Sequence, residues 1–444
     1  MWETIESVDL VPNWHIEYIC AMLQEAFDWW ELGLGQPDIL INLPPGMSKS
    51  TMVTQLFPAW LWVKDRSIRT ISSSYAGDLA TAHAVKTRDC LKSDKFNLLY
   101  PDWIKFKSDS DGKTHFKNDQ KGERFVTSTS GTVTGMHGDF ILIDDPINPE
   151  EAVSEKDLKR AMRFVSRTLS TRKTDKIRTV TIMVMQRLHD DDPSGHWISS
   201  GYNINRICLP GEKADNVYPL TLQANYKNDL LDTKRLGHGA LNILKAKLGS
   251  YGYAGQIMQK TAPEEGGIWR KWFIPVPDNI FPAPDTLEAY GTDWDTAYTE
   301  KEANDASAYC TSGRTRDNHI YIDKLGYMRL EFPELIKAMN LRPSPHYIEA
   351  KASGKSAKQT IKKSGIVAIE VEVNGGDKVA RTRNATPTAE AGFVHIRESL
   401  LSLLYDDHEQ GILNFPNAKH DDLNDAVVQA IIRHSKPRFK PMAI

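Results

Sequence analysis

Two groups of residues in this 444-residue chain have the types and spacing that phosphate chemistry requires. The first is Leu43-Pro44-Pro45-Gly46-Met47-Ser48-Lys49-Ser50-Thr51, followed later by Phe140-Ile141-Leu142-Ile143-Asp144-Asp145-Pro146. A loop that cradles phosphate needs small residues whose backbone N–H groups turn inward, a lysine that reaches the terminal phosphates, and a hydroxyl that holds magnesium. Lys49 and Ser50 supply the last two, while Leu43 and Ser48 stand where the pattern G-x-x-x-x-G-K-[ST] has glycine. An apolar strand ending in Asp144-Asp145 offers one carboxylate beside the Ser50-held magnesium and a second where it polarises an attacking water. An Asp-Asp-Pro turn after a core strand is the plain alternative; it accounts for Asp145 and Pro146 but not for their coincidence with Lys49-Ser50. The expected nucleotide-binding residues are Pro45, Gly46, Met47, Ser48, Lys49, Ser50 and Thr51, with Ser50 and Asp144 on the metal and Asp145 catalytic.

The second group is Asp293-Trp294-Asp295-Thr296-Ala297, then Ile348-Glu349-Ala350-Lys351, then His420-Asp421-Asp422-Leu423-Asn424-Asp425. Hydrolysis of a phosphodiester by two metals needs carboxylates from separate elements to converge on two divalent cations. Asp295 and Glu349 end predicted strands, and Asp421, Asp422 and Asp425 open a predicted helix. In that helix Leu423, Ala426, Val427, Ala430 and Ile431 form an apolar stripe, and Asp422 and Asp425 fall off it. A helix cap by Asp421 or Asp422 is the alternative for either residue alone. Three acidic positions in a fitting element order favour a metal site in which Asp295, Glu349, Asp421, Asp422 and Asp425 are catalytic and metal-binding, taking Mg2+ or Mn2+. Asp293 shares a face with Asp295 farther from the strand end, and its loss is expected to be milder. Asp305 is placed outside the cluster.

The elements that must position these groups fall into two parts. In the first, short apolar runs (38–43, 69–74, 140–143, 179–185) alternate with helical patterns (after Lys49, 78–93, 151–170), the sign of a parallel sheet covered on both faces. The stretch 261–285, with Gly266-Gly267 and Pro275, Pro277, Pro282 and Pro284, reads as a linker. Beyond it come three antiparallel strands (289–296, 306–311, 319–325), a helix at 334–340, a strand at 346–349, a helix at 356–363, a strand at 367–373 and a last helix over 421–434. This order is that of a ribonuclease-H-like domain. The fold class is therefore α/β: an N-terminal P-loop NTPase over 1–260, with a parallel sheet and flanking helices, and a C-terminal ribonuclease-H-like mixed sheet over 286–434, with a basic tail at 435–444.

Length and composition bound the rest. Roughly 150 residues per domain predicts two or three domains. No run of about 18 apolar residues is present, so no membrane span is expected, nor does Met1-Trp2-Glu3-Thr4 open a secretory signal. Cys20, Cys90, Cys208 and Cys310 have neither disulfide-framework nor zinc spacing, which fits a reducing cytoplasm. The net charge of −3 gives no overall argument for a nucleic-acid partner. Locally, Lys156, Lys159, Arg160, Arg163, Arg167, Arg172, Lys173, Lys176 and Arg178 crowd one segment, which is either a solvated helix face or a functional basic surface.

These motifs together resemble the bacteriophage terminase large subunit, the motor and nuclease that packages viral DNA into a preformed capsid, over nearly the whole chain. Pro44 to Thr51 resembles the family's degenerate Walker A, Ile143-Asp144-Asp145-Pro146 its Walker B, and Met185 to Asp192 the segment coupling hydrolysis to movement. Tyr253 to Gln259 and Glu265-Gly266-Gly267-Ile268-Trp269 are similar to its passage from motor to nuclease. Trp294 to Ala297, Asn304-Asp305-Ala306-Ser307, Ile348 to Gly354 and His420-Asp421-Asp422 resemble its nuclease motifs. The resemblance implies ATP and Mg2+ as cofactors, and double-stranded DNA, a portal protein and a terminase small subunit as partners. It also implies a homo-oligomeric ring on the portal, and a place in the host cytoplasm docked transiently on the procapsid. Many relatives carry an arginine where Gly46 or Met47 stands. Here a charge-stabilising arginine must come from elsewhere, and Arg167 and Arg172 are the candidates, a basic helix face being the alternative. Pro12-Asn13-Trp14-His15 resembles the segment beside the adenine, although Trp14 equally suits a core position. The rival function is a stand-alone ribonuclease-H-like nuclease or resolvase whose first domain only binds nucleotide.

Overall fold

The computed structural model describes residues 1–261, 267–296, 306–349, 361, 364–371, 377–407, 409–416, 418 and 420–436. Glu264 to Gly266, Ala297, Asn304, Asp305, Ala350 to Gly354, most of the helix expected at 356–363 and the basic tail from 437 lie outside the described residues. The chain forms two compact units, Met1–Pro263 and Glu264–Ile444.

The first unit is built on eight strands: β1 (Asp38–Asn42), β2 (Arg69–Ser74), β3 (Phe106–Asp111), β4 (His115–Asn118), β5 (Glu123–Ser128), β6 (Phe140–Asp144), β7 (Val180–Met185) and β8 (Ile204–Cys208). Their spatial order is β3-β4-β5-β2-β6-β7-β1-β8. Only the β3–β4 and β4–β5 pairings are antiparallel. The central strands β6 and β7 are buried at every position and, apart from Asp144 and Thr181, apolar, as a doubly covered parallel sheet demands. Phe140, Leu142 and Val184 face a core shared with the Trp14–Glu31 helix and the helical run after Lys49. Ile141, Ile143 and Met183 face the other way, onto Leu158, Ala161 and Phe164. The segment expected as one helix over 151–170 is broken into 3-10, α and π turns, with the α part at Glu155–Arg163.

The second unit has seven strands: β9 (Ile274–Val276), β10 (Glu288–Asp295), β11 (Ser307–Arg314), β12 (Ile320–Met328), β13 (His346–Glu349), β14 (Ala368–Val371) and β15 (Val394–Arg397). They lie in the order β14-β13-β10-β11-β12-β15-β9. An antiparallel meander of β10, β11 and β12 is extended by β13, parallel to β10, and β14, parallel to β13. This is the strand order expected for the second part. One face carries the Lys378–Glu390 and Asp422–Ser435 helices, whose Ala385, Ala389, Leu423 and Val427 meet Ala308, Cys310 and Ile322. The other face packs Trp294 and Ile348 against Leu335 and Met339 of the Phe332–Asn340 helix.

The proline-rich stretch read as a linker differs from expectation after residue 266. Trp269 and Phe273 are buried in the second core, and β9 pairs with β15. Prolines break local periodicity, but large aromatics three to four positions apart still bury area that the sheet edge accommodates. No described helix is long and apolar enough to cross a membrane.

Candidate functional sites

The first site sits at the carboxyl ends of β1 and β6, where open parallel sheets place their ligands. After β1 the chain turns at Gly46, whose φ of 78° suits glycine, and at Ser48, whose φ of 61° is adopted without that freedom. A helical run then extends from Lys49 to Lys64, with a wide π turn at Thr51–Leu56. Lys49, Ser50 and the acidic pair expected to work with them are brought together. Lys49 Nζ lies 2.7 Å from Asp145 Oδ2, and Ser50 Oγ donates to Asp144 Oδ1 at 3.1 Å. Asp145 has a φ of 40°, a left-handed conformation fixed on all sides. Its N–H donates to Val184 O (2.9 Å), its carbonyl accepts from Tyr75 N–H (3.0 Å), and its Oδ1 accepts from Gln186 N–H (3.2 Å).

Burial pushes the Asp144 and Asp145 carboxyls upward, with the Lys49 ammonium opposing. Burial also works against the Lys49 ammonium, but Asp145 and Asp144 outweigh it and its pKa is raised. The site is thus a buried cation–dicarboxylate cluster in which one ammonium offsets part of the charge of two carboxyls. His15 of the Trp14–Glu31 helix reaches the loop, its Nε2 3.3 Å from Met47 O. Trp14 packs on Tyr226 with ring centroids 5.8 Å apart.

The stretch after β7 is tied into the same place. Besides the Gln186–Asp145 bond, Arg187 N–H donates to Gln259 Oε1 (3.0 Å), and its guanidinium pairs with the buried Asp192 (3.1 Å). A side chain at Gly255 would meet Arg187 O at 2.8 Å, so glycine is needed for this close approach.

Arg167 and Arg172 are not brought to this cluster. Arg172 O accepts from Gly138 N–H, just before β6 begins, whereas Asp144 ends that strand. Four strand steps separate the two edges, about 13 Å, and the Arg172 guanidinium bonds the adjacent Thr171 Oγ1. Arg167 is exposed on the same segment. Much of the basic segment is neutralised locally: Arg160 by Glu151 and Asp157, Lys159 by Glu155, Lys173 by Asp38. Arg178 stacks over Trp30.

The second site gathers at the ends of β10 and β13 and the start of the Asp422–Ser435 helix. Asp295 and Asp425 are buried, while Glu349, Asp421 and Asp422 are half-buried. Burial and the Asp295 charge push the Asp425 carboxyl up to about 6, and burial, Asp295 and Asp421 raise Asp422. Asp295 thus lies within electrostatic reach of both Asp422 and Asp425. Two cations stand among them. Lys378 Nζ bridges Asp421 Oδ1 (2.6 Å) and Asp425 Oδ2 (3.0 Å), while Arg381 lies 3.7 Å from Glu349 and 3.9 Å from Asp425. With them in place, no three His, Cys, Asp or Glu side chains among the described residues are gathered to enclose a metal. Asp421 stands at the cap position of the helix but makes no side-chain cap bond, so the capping alternative fails for it. Gln410 orients Asp422 through Nε2–Oδ2 (2.7 Å).

Asp293 is removed from this chemistry. Its carboxylate is fully buried and held by Arg433 Nε (3.0 Å) and Nη2 (2.7 Å), with Gln429 at 3.3 Å. Two residues along a strand restore the face but not the depth, and at that depth the helix presents a guanidinium.

No protein-family model and no curated protein sequence matches this chain. Its neighbours among solved structures are large terminases from several phages. The large terminase of the thermophilic bacteriophage D6E in complex with ADP aligns over 85% of this chain and 87% of its own, at 10% identity and a TM-score of 0.45. That of bacteriophage HK97 aligns over 97% and 98%, at 11% identity and a TM-score of 0.37. The large terminase nuclease of thermophilic phage G20c with bound zinc aligns over 36% and 94%, at 16% identity and a TM-score of 0.26.

Sequence reasoning missed Thr54, His83, Lys378, Arg381 and Gln410. Thr54 had a signal, since it lies one helical turn beyond Ser50 on the same face. The others come from separate elements and carry no local pattern.

Proposed function

We propose that this chain is a viral DNA-packaging motor. Its first unit hydrolyses ATP to translocate double-stranded DNA into a procapsid, and its second, ribonuclease-H-like unit cuts concatemeric DNA. The observation that carries this reading is the meeting of Lys49 and Ser50 with the Asp144-Asp145 pair at the carboxyl ends of β1 and β6, parallel strands that flank β7. The converging carboxylates of the second unit, and the motif resemblance along the chain, support it.

In the ATPase, Lys49 exchanges its contact with Asp145 for the terminal phosphates, and backbone N–H groups of Pro45 to Thr51, proline excepted, face the phosphate oxygens. Asp145, released from Lys49 and still held by Gln186 N–H, polarises the attacking water. Ser50 and Asp144 would hold a magnesium ion, which would supply charge neutralisation at the phosphates. The Gln186–Asp145 bond gives the segment from Met185 to Asp192 a direct mechanical link to hydrolysis. Arg167 and Arg172, remote from their own loop, serve a neighbouring subunit in a homo-oligomeric ring.

In the nuclease, the donor set is wholly carboxylate oxygen, which suits Mg2+ or Mn2+, and its mutually repelling charges fit divalent cations. Asp295, Glu349 and Asp422, with Asp421 or Asp425, would hold two such ions, which would supply an activated water and stabilise the leaving oxygen. Lys378 and Arg381 balance the carboxylates otherwise, and turn to the DNA phosphates when released. The portal protein and the terminase small subunit are the protein partners, and the work takes place in the host cytoplasm at the procapsid.

The test is purified protein with linear and supercoiled DNA, ATP, and magnesium or manganese, scoring phosphate release and cleavage together. DNA-stimulated ATP turnover with metal-dependent cutting is the expected result. Cutting without ATP turnover would leave the stand-alone nuclease instead.

A further inference from the structure

A carboxylate holds a cation more tightly with one oxygen when a partner fixes the other. Asp144 has both oxygens engaged. Ser50 Oγ donates to Oδ1, Thr54 Oγ1 donates to Oδ2 at 2.8 Å, and His83 Nδ1 lies 3.3 Å from the same Oδ2 and 3.3 Å from Thr54 Oγ1. Thr54 Oγ1 also lies 2.9 Å from Ser50 O, but its single hydrogen goes to the ionised carboxylate, the stronger acceptor, and the His83 nitrogen facing both oxygens is the one that carries a proton.

Each of these groups is itself held. Thr54 lies one turn beyond Ser50 in the helical run, and Pro58 removes the N–H that would bond the Thr54 carbonyl. The buried Arg124 of β5 donates to that carbonyl at 2.7 Å. His83 belongs to the Gly77–Lys92 helix, which Thr87 pins to the same run by donating to Gln55 O at 2.7 Å. Asp144, Thr54 and His83 are 1%, 1% and 7% exposed, so water has no room to replace a lost partner.

We infer that Thr54 and His83 are positioning residues that fix the Asp144 carboxylate so that Oδ1 and Ser50 face the nucleotide-bound divalent cation. The inference rests on the ATPase reading above. It gives the two residues a task beyond packing: they set how tightly the cation is held and leave nucleotide affinity in its absence unchanged.

The test uses the full-length protein, a fluorescent ADP without metal, and electron paramagnetic resonance of Mn2+, counting only the Mn2+ bound with ADP present beyond that bound without it. Thr54→Val and His83→Leu should bind ADP without metal like the wild type, and need about tenfold or more Mn2+ for half-saturation, the size seen when ligand-orienting partners are lost. Thr54→Ser, which keeps the hydroxyl, should stay within about twofold of wild type. Should His83→Leu lose its fold, Thr54→Val, nearly isosteric with threonine, decides alone. Unchanged Mn2+ half-saturation in Thr54→Val overturns the inference while the ATPase reading stands. A wild-type protein that binds no nucleotide overturns both.

Discussion

His434, at the end of the Asp422–Ser435 helix, makes the second unit acid-sensitive by a calculable amount. Its ring is 3% exposed, with Nε2 3.0 Å from Ser312 Oγ, and its carbonyl accepts from Arg314 Nη1 at 2.7 Å. Burial, reinforced by the Arg433 and Arg314 charges, pushes its pKa down from 6.5 to about 2. The folded imidazole therefore stays neutral where the unfolded one takes up a proton. Its stabilising contribution is complete above the unfolded pKa of 6.5 and is lost as pH falls below it. Each pH unit is worth about 1.4 kcal/mol, so moving to pH 5 should remove roughly 2 kcal/mol through this residue alone. Asp425 acts in the opposite sense: its pKa is raised to about 6, so protonation on acidification relieves strain in the same unit. Only a comparison of variants isolates His434. Urea unfolding read by pulsed hydrogen-exchange mass spectrometry resolves the units, at pH 7.5 and pH 5, for wild type and for His434→Gln, whose amide can still meet Ser312. The variant should be somewhat weaker at pH 7.5, yet its loss on acidification should be smaller by about 2 kcal/mol. An equal loss in both proteins would refute a neutral, buried His434.

Lys49→Ala should abolish ATP hydrolysis, and Asp145→Asn should lower kcat more than it weakens nucleotide binding, because among the described residues Lys49 alone makes an ion pair with Asp145, and Asp145 keeps its place through Gln186 N–H; wild-type phosphate release from the Lys49 variant contradicts this. Asp293→Ala should destabilise the second unit by about 3–5 kcal/mol, since it strands the buried Arg433 guanidinium, and Asp293→Ala/Arg433→Leu should recover part of the loss in the same urea assay. Asp295→Ala, Glu349→Gln and Asp422→Asn should each remove DNA cleavage and leave ATP turnover intact, because the two sites belong to separate units; plasmid cutting undiminished by Asp295→Ala, or resistant to EDTA, excludes a carboxylate metal site.

What was legible in the sequence was whatever a single element encodes. β6 reads as a doubly covered strand because Phe140-Ile141-Leu142-Ile143 is apolar throughout. The Asp422–Ser435 helix reads correctly because its stripe from Leu423 to Ile431 has the helical period, and all five stripe residues are fully buried. Strands β3 to β5 were not legible. Lys107, Ser108 and Asp109 carry no apolar alternation, and this antiparallel edge is held instead by Phe106 and Phe116 packing on Trp62. The linker was misread from 267 onward because proline composition reports local backbone and says nothing of Trp269, whose indole donates to Asn424 at 2.8 Å across the sequence. The partner of Asp293 was not legible for a related reason: face periodicity gives the side of a strand, but the Arg433 guanidinium that holds it comes from a helix far along the chain.

The same physics explains why the candidate sites were only half legible. Carboxylates advertise themselves by strand-end position and by clustering, but a buried group of like charges is unstable until a cation balances it. In the first site the balancing cation, Lys49, lies in the motif itself, so the pair Lys49–Asp145 could be anticipated. In the second it is Lys378 and Arg381, on a helix that follows β14, at positions i and i+3 so that both point at the same cluster. Nothing in the acidic motifs requires that helix, and the electrostatics do. In both sites a side-chain cation pairs with the acidic group, and under the proposed function an incoming divalent cation takes over that charge when phosphate draws the side chain away. Under the proposed function, catalysis at either place is gated by the exchange of one positive charge for another, not by the presence of carboxylates alone.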